Sequence, residues 1–558
     1  MFCTKCGKQM PGDARFCGGC GNAVYAPKEA NPKESSSYSP VLANAQLAAK
    51  QTEEPSQGAA ETNRACQQAA PTNPGGGMVG NIFPTARKTV PLFTKTIVGI
   101  VAVAIVIGGG MTAWIMAHRN NRSESSPQSV GDSSSGNGQV SQSAADISPS
   151  ATTTNEVTVP TIEVDIGNQD ITNERLAAMI ASGEIPSNVT HLYLGSNRFD
   201  KDRGNKISDL SPLQSLTDLT YLNLGFLELS DLSQLQSLTN LTGLNLWSNH
   251  ISDLTPLQSL TKLTRLDLMQ NQVSDISPLQ SLTNLTTLSL TSNAISDISS
   301  LKSLTNLTSL QLGNNQILDI SPLQSLKKLT SLSFEVYQGD LSPIQSLTDL
   351  THLEINCQAI DIDILPLRSL TRLTHLSLSC YYIDDFTPLQ SLTNLTELYL
   401  QIEHYSDISP LQTLTGLTRL TLSSNQLSDI SALSFLTSLT ELSIGGFAGQ
   451  VSDISPLRSL TNLTILNLGG NEIYDVYPLQ SLVNLTYLNL DHNQISDISP
   501  LGALTDLAYL YIDFNQINDI SPLQSLVNLT SLDLYGNQFD DSQALDLQNA
   551  LPNCSIGW

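Results

Sequence analysis

From Val189 onward one motif recurs, SDISPLQSLTNLTTLSLTSNAI in residues 274–295, with a period of 22. Its Leu-x-Leu core returns sixteen times between Leu192 and Leu532. Most steps are 22 residues, and steps of 30, 21, 23 and 24 mark insertions and a deletion. A unit this short cannot bury its own apolar face, so the copies must stack and share one continuous core. The three or four globular domains that 558 residues would otherwise imply are excluded over this stretch.

One coil can be read residue by residue. Leu-x-Leu forms a short parallel strand whose leucines face inward. Three residues after the second leucine stands an asparagine, as at Asn249, Asn271, Asn293 and Asn315. Buried there, its amide can satisfy backbone groups of neighbouring coils, which an apolar side chain cannot. Ser-Pro-Leu then opens the convex side, with serine as cap and proline at the first helical position, as at Ser277 and Pro278. The expected fold is α/β: a leucine-rich-repeat solenoid of about sixteen coils with a parallel β-sheet on its concave face. At ~4.8 Å per strand it would be roughly 75 Å long. Terminal coils need covers. Asn173–Ser182, closed by Gly183 and Pro186, reads as a helix over the front, and Ser542–Ala550 as a short helix over the rear. Residues 159–191 are thus the N-terminal cap, 192–541 the repeats and 542–558 the C-terminal cap.

The first 24 residues carry Cys3, Cys6, Cys17 and Cys20, two Cys-x-x-Cys pairs each followed by a glycine. Four thiolates arranged in this way make a closed tetrahedral site for structural zinc, with no open position for catalysis. So short a unit has no core, and metal ligation must supply its folding energy. Two redox or disulfide pairs are the alternative. Residues 25–92 and 118–158 lack apolar periodicity and read as a disordered linker and a flexible spacer. Between them, residues 97–117 hold no charge over 21 positions, enough for one transmembrane helix. Gly108, Gly109 and Gly110 would permit close helix packing, a weak indication of a homodimer. Arg87, Lys88 and Lys95 flank its start, and thiolates keep best in a reducing compartment. Both place the N-terminus in the cytoplasm and the repeats outside the cell membrane.

The first 24 residues resemble the zinc ribbons at the N-termini of many bacterial membrane proteins. The 22-residue period, the L-x-L-x-x-N-x-I-S-D-I-S-P-L pattern and the helical front cap over residues 159–558 resemble internalin-type repeats of bacterial surface proteins. That resemblance implies a rod that holds another protein on its concave face. The immunoglobulin-like module that often follows such repeats is absent, and the anchor is an N-terminal helix rather than a C-terminal wall signal. Host invasion therefore does not carry over with the fold.

The formal net charge is -25, and it is unevenly placed. Residues 159–558 hold 14 basic and 41 acidic residues, and no Lys or Arg follows Arg458. Such a surface repels phosphate backbones, so nucleic acid is not an expected partner. Fifteen of the acids form a ladder, one per coil from Asp209 to Asp519, just before the convex segment. Calcium binding is one reading of it. An Asx-type bond to the backbone at each turn is the other, favoured by the regularity. Cys357 and Cys380 occupy equivalent positions in neighbouring coils and are expected to remain unpaired thiols. The Asn-Leu-Thr sequons recur because the repeat does.

The candidate partner-binding residues flank the strand leucines of the last coils: Tyr487, Asn489, Asp491, His492, Tyr509, Tyr511, Asp513, Phe514, Asp533 and Tyr535. The fold does not require aromatics on a solvated strand face, and such anchors dominate protein interfaces. Strands also simply tolerate them. A second group, Tyr193, Tyr221, Phe226, Trp247 and Met269, lies toward the front. No catalytic constellation appears. The expected function is a membrane-anchored repeat protein that binds another protein, in adhesion or surface interaction. A transmembrane sensor coupled to the ribbon is one alternative, and a cytosolic scaffold of reversed topology another. The acidic, aromatic tail points to a basic or amphipathic partner at the far end.

Overall fold

The computed structural model describes residues 161–195, 204–358, 362–445 and 449–558. Those residues form one parallel sheet of eighteen strands stacked in chain order. It runs from β1 (Glu163–Asp165) through β2 (His191–Tyr193) and β17 (Ser531–Asp533) to β18 (Ser555–Gly557). Sixteen of these, β2 to β17, contain the Leu-x-Leu leucines in register, Leu192 beside Leu222 and so on to Leu510 beside Leu532. β1 and β18 extend the sheet by one strand at each end, inside the two caps.

Each strand from β2 to β16 leads into a single 3-10 turn, as at Ser277–Ser281. The strand leucines, the leucines of the 3-10 turns and the Ile or Leu of each link share one core, nearly all without solvent contact. The front helix α1 (Asn173–Ser182) has the expected bounds, with Thr172 as N-cap and Gly183 in the left-handed region as C-cap. Its Leu176 and Met179 are buried against the first coil. The rear helix α2 (Asp541–Ala550) begins one residue earlier than expected, because the carboxylate of Asp540 accepts from the N–H groups of Ser542 and Gln543.

The buried asparagines tie coil to coil. Asn249 Nδ2 donates to Leu224 O and Leu246 O at 2.9 Å each, while its Oδ1 accepts from Leu229 N at 2.9 Å. Asn271, Asn293 and Asn315 repeat the pattern. The residue before each of these asparagines has positive φ, as at Ser248, Gln270, Ser292 and Asn314. That conformation swings the amide inward.

The middle coils depart from this plan. Tyr337, Gln358, Tyr381 and Glu403 stand where the asparagine would be, and the chain does not turn in. The strands continue instead: β8 (Ser331–Val336), β9 (His352–Cys357), β10 (His375–Tyr382) and β11 (Glu397–His404) run for six to eight residues. Ladder hydrogen bonds thus replace the amide, and Val336, Cys357, Cys380 and Ile402 fill the interior. Here the structure corrects one expectation. Cys357 and Cys380 form a disulfide, because neighbouring coils bring their Cα atoms to 4.6 Å, within disulfide reach.

A second correction concerns the cap of the convex segment. The 3-10 turns have no side-chain cap bond from their own N-cap residue or from serine. Aspartate supplies it: in all fifteen links the ladder carboxylate accepts the N–H two residues on at 2.8–2.9 Å. Several also accept the hydroxyl, as Asp275 Oδ2 does from Ser277. The Asx reading of the ladder therefore holds. Among the described residues, the side chains whose ligand atoms converge as for a metal are Asp491, His492 and Asp513, not the ladder.

Candidate functional site

The rear face of the sheet brings the expected residues together. Strand β15 (Tyr487–Asn489) pairs with β16 (Tyr509–Tyr511), setting Tyr487 beside Tyr509 and Asn489 beside Tyr511. β16 in turn sets Tyr511 beside Asp533 of β17. The alternate residues Leu488, Leu510 and Leu532 are buried, so these side chains lie on the opposite, outer face. Tyr487 is 5.6 Å from Tyr511 and 6.3 Å from Tyr509, ring centre to ring centre.

His492 and Phe514 occupy the positive-φ position after their strands and stack at 4.5 Å. A Cβ on Gly536 would meet Phe514 Cδ1 at 2.7 Å, so glycine there makes room for the ring. Tyr509 (44%), Phe514 (54%) and Tyr535 (54%) remain well exposed.

The charge around them is one-sided. Asp491 accepts from His492 Nδ1 at 3.2 Å. Burial pushes the Asp513 carboxyl up, and the neighbouring charges of Asp491 and Asp533 push it further. Burial, with Tyr511 and Asp491 adding, raises Tyr487 to about 12.

The front group is also assembled, but on different terms. Tyr193 and Tyr221 lie 5.2 Å apart, and Phe226 meets Trp247 edge-on at 4.3 Å. Trp247 lies over Gly225 and Tyr221 over Gly243, where a Cβ would collide with either ring. These aromatics are half-buried, and none reaches the exposure of Tyr509, Phe514 or Tyr535.

Between the two groups lies a charged row that the sequence reading missed. His352, His375, Glu397, Arg419 and Glu441 stand side by side on five successive strands, β9 to β13 (Glu441–Gly445), with β12 spanning Arg419–Ser423. The two histidines stack at 4.3 Å. Glu397 receives His375 Nε2 at 2.9 Å and an Arg419 N–H at 2.8 Å, and Arg419 Nε also donates to Glu441 at 3.2 Å. The bond from His375 is the main cause that holds Glu397 below the ordinary carboxylate range. The signal was the residue just before each Leu-x-Leu core, read down the stack rather than along the chain.

Cys3, Cys6, Cys17 and Cys20 and the span 97–117 lie outside the described residues. Among the described residues no helix is long and apolar enough to cross a membrane.

Comparison with known proteins bears on both ends of the chain. The family described as Leucine Rich repeats (2 copies) matches 239–281, 261–303, 283–325, 415–459, 461–503, 483–525 and 505–547. The zinc-ribbon domain family matches residues 2–24. No curated protein matches the chain. Among solved structures, a leucine-rich-repeat protein of Leptospira interrogans is similar at 22% identity, covering 71% of this chain and 95% of that one, with a TM-score of 0.52. An internalin of Listeria monocytogenes is 35% identical over 58% of this chain and 88% of its own, with a TM-score of 0.46. The functional domain of the Listeria monocytogenes protein InlJ, described as including a cysteine ladder, is 25% identical over 59% and 71%, with a TM-score of 0.47. With sixteen Leu-x-Leu coils in one parallel sheet and four cysteines inside the matched ribbon, the chain is a leucine-rich-repeat protein with an N-terminal zinc ribbon.

Proposed function

We propose that the chain is a membrane-anchored binding protein that holds another protein on the outer face of its sheet, in adhesion or another surface interaction. The observation that carries this reading is the rear cluster, where Tyr509, Phe514 and Tyr535 stay exposed beside half-buried Tyr487 and Tyr511. Rigid aromatic rings on a solvated face contribute nothing to the core and are the side chains that anchor protein interfaces.

The uncharged run of residues 97–117 supplies the anchor, with the ribbon in the cytoplasm and the repeats outside. Two kinds of cysteine support that orientation. A Cys357–Cys380 disulfide persists in an oxidising compartment, whereas four zinc thiolates keep best in a reducing one. Cys3, Cys6, Cys17 and Cys20 form a donor set that fits structural zinc.

The test replaces Tyr509, Tyr511 and Phe514 together by alanine in the full chain. After surface cross-linking of intact cells, a partner recovered with the wild type should fall at least tenfold with the variant. Circular dichroism should be unchanged. Equal recovery from both would remove the rear face as the binding site.

A further inference from the structure

The middle and rear sectors of the sheet face differ in how their charge is balanced. In the middle, Arg419 pairs with both Glu397 and Glu441, and His375 Nε2 bonds Glu397, so each of these carboxylates has a partner within the row itself. At the rear no such balance exists. Asp491, Asp513 and Asp533 come from three successive coils, and Asp513 lies close enough to feel both of the others. The imidazole beside them, His492, is exposed and turned to Asp491. No Lys or Arg occurs in the last 100 residues, so nothing in this part of the chain can close the gap. Holding like charges together on a partly desolvated surface is unfavourable unless a partner offsets them.

The aromatic rings narrow the kind of partner. Tyr487 lies against both Tyr509 and Tyr511 on the same face as Asp491 and Asp513, with Phe514 stacked on His492 at the border. A planar guanidinium can stack on such rings while its fork donates to two carboxylates. Carboxylates spread over three coils suit that broad fork better than a point ion, since ligand atoms within 4.8 Å of one another come from Asp491, His492 and Asp513, without Asp533.

We propose that the rear face receives an arginine of the partner protein, seated between Asp491, Asp513 and Asp533 and stacked on the neighbouring tyrosines. This rests on the reading of the rear face as the binding site and adds the chemistry of what binds there.

The test pans a random dodecamer phage library on the full chain, with Tyr509→Ala/Tyr511→Ala/Phe514→Ala and Asp491→Asn/Asp513→Asn/Asp533→Asn variants as counter-screens, each checked by circular dichroism. Enriched peptides should carry arginine. They should lose at least tenfold in affinity on the asparagine variant, and weaken as salt rises from 50 to 500 mM, a range chosen to span several-fold in Debye length. Peptides that need the aromatics but lack arginine, or that bind the asparagine variant equally, would overturn the inference and leave the binding face standing. Peptides indifferent to the aromatic variant would remove the binding face as well. Enrichment that depends on added Zn2+ and vanishes with EDTA would assign the cluster to a metal, and failure to enrich arginine over its library frequency would also overturn the proposal.

Discussion

At the scale of single residues, two repeated side chains carry the fold, and both were legible because the repeat prints them many times. The asparagines joining coils leave buried backbone groups without partners when removed. Asn315→Ala is expected to cost about 1–3 kcal/mol, measured by denaturant unfolding. The ladder aspartates act at the surface. Asp209, Asp231, Asp253, Asp297, Asp319, Asp340, Asp385, Asp429, Asp497 and Asp519 are lowered from 3.8, chiefly by hydrogen bonds from the residue two further on.

A carboxylate with a lowered folded-state pKa contributes stability that is present above its unfolded value. That stability is lost as pH falls through the lower folded one. The melting midpoint should therefore fall as pH drops below about 4, and calcium should not shift it. Asp513 has the opposite sign, since its folded pKa is raised. Asp513→Asn is expected to raise the midpoint at pH 7 slightly, and a fall would contradict the like-charge strain at the rear face.

At the scale of elements, the reading succeeded where the pattern was explicit and failed where it changed. Helix α1 was visible from the Gly183 and Pro186 that close it, and β2 to β17 from their leucines. β1 and β18 were not, because Glu163–Asp165 and Ser555–Gly557 lack the Leu-x-Leu core and become strands only by pairing with the terminal coils. The long central strands were missed for a related reason. Loss of the asparagine at Tyr337, Gln358, Tyr381 and Glu403 was readable, but its consequence depends on neighbouring coils losing theirs together.

The same change brought Cys357 and Cys380 into the interior and into a disulfide closing 23 residues. Cys357→Ser/Cys380→Ser is expected to cost about 2–4 kcal/mol. Dithiothreitol should destabilise the wild type similarly and the double variant not at all. An identical response of both proteins would contradict the bond.

At the scale of the molecule, the charge of -25 resolves into parts with different meanings. Fifteen aspartates belong to the turns, Glu397 and Glu441 of the middle row pair with Arg419 beside them, and the rear face is left acidic and aromatic. The rear cluster was legible because Tyr487 and Tyr509 share one strand position and Tyr511 and Phe514 follow within five residues of Tyr509. The difference between the front and rear groups was not, since exposure depends on how each ring lies on its neighbours.

The proposed topology predicts that protease added to intact cells removes the repeats and leaves the ribbon with the span 97–117. Digestion only after lysis would reverse the orientation.

The most direct measurement is site-specific photo-crosslinking on living cells, with a photoreactive residue placed at Tyr509, at Tyr221 or at the convex position Gln280 of the full chain. A partner on the rear face gives a discrete cross-linked protein from position 509 and little from 221 or 280. Equal cross-linking from all three, or cross-linking from 280 alone, would contradict binding at the rear face.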